Sequence, residues 1–142
     1  MNQEIEELLK ELEASVGPTL HWTNTRARIH ELHGKAKTFE ERGQLLKIYV
    51  TLMDAVERMK LVNNVEAFRE TRRKDYNMLL IVEATDGKDI VPSKLLAVTR
   101  REIEAGHINE KHELYQLALA DNYVPPPRSH QKSWWARLIG WG

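Results

Sequence analysis

The stretch TFEERGQLLKIYVTLMDAVERM, Thr38–Met59, decides the fold. Within it Leu45, Tyr49, Leu52, Val56 and Met59 recur at alternating spacings of four and three, flanked by Leu46 and Met53. That is the apolar stripe of an amphipathic helix. Ahead of the stripe, Thr38-Phe39-Glu40-Glu41 has the pattern of a capping box, in which the Thr hydroxyl accepts the Glu41 amide and the Glu41 carboxylate turns back to the cap amide. A helix is predicted to begin there. The stripe is too short for an independent coiled coil, so it must be buried by other helices.

Toward the N-terminus, Trp22, Ile29, Leu32 and Ala36 form the apolar side of a helix over about Thr23 to Ala36. Earlier still, Ile5, Leu8, Leu9, Leu12 and Val16 fall on one face, with Glu4, Glu6, Glu7, Glu11 and Glu13 elsewhere. Gly17-Pro18 is expected to end that first helix.

Toward the C-terminus, Asn63-Asn64 breaks or bends the chain. Val65 and Phe68 nevertheless continue the apolar pattern, so one long helix to about Arg73 and two pieces both fit. Met78-Leu79-Leu80-Ile81-Val82 suits a buried helix or a buried strand; helices on both sides favour helix. Thr85-Asp86-Gly87-Lys88-Asp89 reads as a turn, after which Val91-Pro92-Ser93 opens a helix with Pro92 at its first position. Leu95, Leu96, Val98 and Ile103 pack it, and Gly106 closes it. Asn109 is expected to cap a final helix that carries Leu114, Tyr115, Leu117 and Ala118 to about Asp121. The fold implied is an all-α bundle of five or six helices over residues 1–124, followed by a Pro-rich spacer and a Trp-rich tail over 125–142.

At 142 residues one domain with a modest core is expected. Lys and Arg together number 21, as do Asp and Glu, so no overall field favours nucleic acid or anionic lipid. Cysteine is absent, which excludes a disulfide framework and thiolate chemistry and fits a cytoplasmic setting. The Glu-rich opening is unlike a secretory signal, and the longest apolar run is far below the ~18 to 20 residues of a membrane span.

The tail is the strongest functional clue. It holds three of the four tryptophans, Trp134, Trp135 and Trp141, behind Pro125-Pro126-Pro127. In a helix these residues would share an arc of roughly 160° with Leu138 and Ile139. Gly140 and Gly142 lower helix propensity, so the segment is expected to order on contact. Burying five such side chains yields roughly 7 to 15 kcal/mol, against on the order of 8 to 16 kcal/mol of backbone entropy for about eight residues. A reversible dock follows. The receiving surface is the chain's own bundle, a groove on a protein partner, or a membrane interface, with Arg128, Lys132 and Arg137 setting register.

Sites of chemistry are incomplete. His30 and His33 stand at i, i+3 and can supply two metal ligands, with His21 nearby, but His30-Glu31-Leu32-His33 brings the second histidine one residue too early for a zinc-protease motif, and solvated or capping histidines are the favoured expectation. His107 and His112, with Glu104 and Glu113, form a looser group. Glu104-x-x-His107 matches only part of a di-iron ligand set. No phosphate-binding glycine loop or nucleophile elbow occurs. The run Arg69, Arg72, Arg73, Lys74, with Arg100 and Arg101, suggests nucleic acid, yet Glu66, Glu70 and Asp75 are spaced to pair with it.

These readings favour a non-enzymatic helical adaptor or assembly protein, without a cofactor, that docks Trp134, Trp135, Arg137, Leu138, Ile139 and Trp141, with Lys132 and Arg128, on a protein partner. The alternatives are a peripheral membrane protein anchored by the same tail, or a small metal-binding protein or enzyme using His21, His30 and His33. The face of Ile5, Leu8, Leu12 and Val16 fits self-association and packing within the chain equally, and nucleic-acid binding is not favoured.

Overall fold

The computed structural model describes residues 3–14 and 22–125. The expected helix end at Gly17-Pro18, His21, and the tail residues from Arg128 to Trp141 lie outside the described residues. Those described form six helices and one minimal hairpin, an all-α architecture: α1 Gln3–Ala14, α2 Trp22–Lys35, α3 Phe39–Arg58, α4 Val65–Ala84, β1 Thr85–Asp86, β2 Asp89–Ile90, α5 Pro92–Glu104 and α6 Glu113–Ala120. They divide into two compact units between Leu95 and Leu96, within α5.

The first unit is built on α3. Its cap is in place: Thr38 is extended and its hydroxyl accepts the Glu41 amide at 3.1 Å. Leu45, Leu46, Ile48, Tyr49, Leu52, Met53 and Val56 are buried along the helix. Helix α2 packs on α3, α1 touches both, and α4 lies against α2 and α3. Ile5 and Leu8 of α1, Ile29 and Leu32 of α2, and Phe68, Tyr76, Leu79 and Leu80 of α4 complete this core. The stripe that demanded partners from sequence thus receives them from three helices.

The chain does break between α3 and α4. Lys60 adopts the left-handed conformation (φ 55°), its amide reaching the Glu57 carbonyl at 3.1 Å while Leu61 reaches the Val56 carbonyl at 3.1 Å. These two bonds make a Schellman motif, which satisfies the last carbonyls of α3. Asn64 then caps α4 by accepting the Ala67 amide at 3.0 Å. The stop signal is not Asn63-Asn64 alone but a Lys in the position usually given to glycine.

Residues 78–82 are helical, within an α4 that runs unbroken to Ala84. The expected turn after it is a hairpin, with Thr85 opposite Ile90 and Asp86 opposite Asp89. Gly87 has φ +67° at the first central position of the turn, the site that type II′ geometry reserves for glycine. Pro92 is the first residue of α5 and loses no hydrogen bond there.

In the second unit Gly106 (φ 82°) ends α5 by a Schellman motif, with bonds from Gly106 to Ile103 and from His107 to Glu102. His112, rather than Asn109, caps α6: its Nδ1 accepts the Leu114 amide at 3.1 Å. Asn109 instead accepts the Lys111 amide at 2.9 Å and shapes the turn between the helices. Asn122 (φ 64°) closes α6 by the same motif. Of the residues expected to pack α6, Ala118 is buried whereas Leu117 remains 40% exposed.

Candidate functional site

Side chains with titratable chemistry converge inside the first unit, between α2, α3 and α4. Asp75 lies on the α4 face that also buries Phe68, Tyr76, Leu79 and Glu83, so helical periodicity carries two carboxylates into the interior. Arg26 on α2 clasps Asp75 with both arms, Nε donating to Oδ2 at 2.6 Å and Nη2 to Oδ1 at 2.8 Å. Tyr49 on α3 donates its hydroxyl to Oδ2 at 2.8 Å. One carboxylate therefore ties three helices through bonds to an ionised acceptor, which are roughly twice as strong as neutral ones.

His30 and His33 both belong to this region, one turn apart on α2, but they face different carboxylates. His30 Nε2 is 3.9 Å from Asp75 Oδ2, and its ring meets Tyr49 edge-on at 6.1 Å between centroids. His33 Nε2 is 3.3 Å from Glu83 Oε2, and both of those side chains are 1% exposed. Among the described residues no group of three or more His, Asp or Glu side chains is arranged to hold a metal ion.

The electrostatics follow from this placement. Burial pushes Asp75 toward a higher pKa, but the hydrogen bonds from Arg26 and Tyr49 and the Arg26 charge outweigh it, and the carboxyl stays below its ordinary value. Its negative charge, passed through the hydrogen bond, raises the Arg26 guanidinium. Tyr49 is raised far above an ordinary phenol, first by burial and then by its bond to Asp75. His30 is lowered, chiefly because burial disfavours the imidazolium, although Asp75 partly opposes this. The cluster holds an ionised Arg–Asp pair beside a phenol that keeps its proton and an imidazole that resists gaining one.

A second set lies in the second unit. Glu102, with its side chain 1% exposed, meets His107 Nδ1 at 2.8 Å and Arg101 Nε at 2.9 Å. Glu104 accepts the Tyr123 hydroxyl at 3.2 Å, and Arg100 pairs with Asp121 at 2.6 Å while lying over the Tyr123 ring, 5.5 Å from its centroid. Glu104 and His107 are thus engaged by different partners and do not converge. His112 is spent on its helix cap.

The basic run is likewise engaged. Arg69 pairs with Glu57 at 3.1 Å, Arg72 with Asp54 at 2.6 Å, and Arg73 with Glu70 at 2.6 Å. Lys74 stands 3.9 Å from the same Glu70.

The sequence pointed to the two histidines but assigned Asp75 to the basic run, where among the described residues only Glu70 of the acids named pairs. Asp75 instead turns inward to Arg26 and Tyr49, and the roles of Glu83, Arg26 and the Tyr49 hydroxyl were missed. Asp75 and Glu83 share the helical face of Phe68 and Leu79, and two acids on an otherwise apolar face were the available signal. Trp22, placed at or just before the start of α2 from sequence, is its first residue and packs edge-on to Phe68 at 5.5 Å. Comparison of the chain with family models, with curated proteins and with solved structures gives no match.

Proposed function

We propose that this chain is a non-enzymatic helical adaptor or assembly protein, in which the helices are scaffold and the Trp-rich terminus is the docking peptide. The observation that carries this reading is that the ionisable cluster of α2, α3 and α4 is occupied with itself. Asp75 accepts from Arg26 and Tyr49, and His33 and Glu83 are sealed together at 1% exposure. A central carboxylate already bonded to two side chains, beside a His33–Glu83 pair closed to solvent, is suited to joining helices rather than to turnover. The pairing of Arg69, Arg72 and Arg73 with carboxylates supports the same reading over nucleic-acid binding. On this view Trp134, Trp135, Leu138, Ile139 and Trp141 supply apolar contact to a protein partner, while Arg128, Lys132 and Arg137 meet acidic groups beside it.

The experiment is capture by the full-length chain compared with Trp134→Ala/Trp135→Ala/Trp141→Ala, in the presence and absence of anionic liposomes. Loss of a specific bound protein in the triple variant is expected. An identical set captured by both forms refutes the docking role, and capture of liposomes alone replaces the protein partner with a membrane surface.

A further inference from the structure

Helix α4 buries one face and leaves the opposite one bare. Met78, Ile81 and Val82, at i, i+3 and i+4, are 49%, 38% and 47% exposed, although the same helix seals Leu79 and Leu80 to 2% and 0%. The strip continues off the helix. Thr85 follows Ile81 by one turn, donating its hydroxyl to the Ile81 carbonyl at 2.6 Å, and its partner across the hairpin is Ile90, which is 48% exposed. Cross-strand partners share a face, so Ile90 extends the row begun at Met78. A contiguous apolar row on an otherwise charged helix marks a contact surface rather than scattered exposure.

The charges at the two ends of the row say what it fits. On its N-terminal side Lys74 is exposed, one turn before Met78, and among the described residues holds only a long 3.9 Å pair with Glu70. On its C-terminal side the hairpin carries Asp86 and Asp89, both exposed and without an ion pair among the described residues, against a single exposed cation, Lys88, so that this end is net acidic. A surface positive at one end, apolar in the middle and acidic at the other is complementary to itself when turned end for end. We propose that this face is the interface between two copies of the chain, paired antiparallel about a two-fold axis near Ile81 and Val82. An isologous contact of this kind brings each surface patch against its own copy. Lys74 lies ~11 Å from that axis at 1.5 Å per helical residue, a separation that carries it to the hairpin of the other copy. The strip and the Trp-rich tail share no residue, so this inference stands or falls independently of the docking role of the tail.

Sedimentation equilibrium of the full-length chain, from about 1 to about 300 µM, reads the association directly. The wild type is expected to form a dimer, and Ile81→Glu to weaken it at least about tenfold while far-UV circular dichroism stays unchanged. Lys74→Glu should weaken it by about fivefold, and adding Asp86→Lys/Asp89→Lys should restore it, since these exposed changes leave the core untouched. The sequence contains no cysteine, so oxidation of Val82→Cys should give a disulfide-linked dimer that Lys47→Cys on α3 does not. A wild type that stays monomeric over this range overturns the proposal, as does a dimer indifferent to Ile81→Glu.

Discussion

Asp75 accepts from three N–H or O–H groups on two helices and is the residue on which the α2–α3–α4 junction turns. Replacing it with Asn removes the charge while keeping the shape, leaving Arg26 without a counter-ion and the Tyr49 hydroxyl with a weaker acceptor. Because the Arg26 side chain is about a third exposed, at 34%, water offsets part of the loss. Asp75→Asn is expected to cost about 2 to 3 kcal/mol in urea unfolding, below the range for fully buried pairs. His30 adds a pH dependence. Its folded pKa is lowered from 6.5, so below that value the unfolded chain takes up a proton that the folded chain resists. The stability it contributes is present above pH 6.5 and is lost as the pH falls through the folded value. Asp75, lowered from 3.8, adds a second loss that begins below that value. Urea midpoints should therefore fall on acidification below 6.5, and His30→Gln should flatten this first slope. The spacing of His30 and His33 suggests solvated or capping histidines ahead of a metal pair, whereas the structure buries His33 and most of His30. The deciding acids lie on α4, at 45 and 50 positions' remove from these histidines, and nothing local links them.

At the scale of elements, the ends of the helices are set by backbone chemistry that the sequence shows unevenly. Thr38, Pro92 and Gly106 stand where capping, proline and glycine preferences place them, and the structure uses each as expected. Lys60 and Asn122 close helices from the same left-handed conformation with ordinary side chains, so their stops are quieter in the sequence. Lys60→Gly should relieve that conformation and stabilise the first unit by about 0.5 to 1 kcal/mol. Thr38→Ala should act in the opposite direction, costing about 0.5 to 2 kcal/mol by freeing the Glu41 amide. Thermal melting of both variants checks these signs. The helical state of 78–82 was undecided by its own composition because Leu79 and Leu80 are buried while Met78, Ile81 and Val82 are exposed. That alternation follows the 3.6-residue period, but five residues are too few to display it.

For the whole molecule, the central carboxylate Asp75 is engaged by Arg26 and Tyr49, and on the proposed reading recognition falls to surfaces outside that junction. We propose two such surfaces, the bare face of α4 and the Trp-rich terminus, and the sequence announced only the second. An exposed apolar row inside a buried-looking run is invisible until the opposite face is known to be covered. The balanced charge also acquires a physical meaning, since many of the cations are spent on named carboxylates within the fold. If the Trp-rich terminus serves a partner and not the protein's own core, urea unfolding of a chain ending at Pro127 should match that of the full-length protein. Stabilities that agree to within about 0.5 kcal/mol are expected, the range of changes that remove no packed contact. A loss of several kcal/mol on removing residues 128–142 would contradict that role and assign the tryptophans to the protein's own interior.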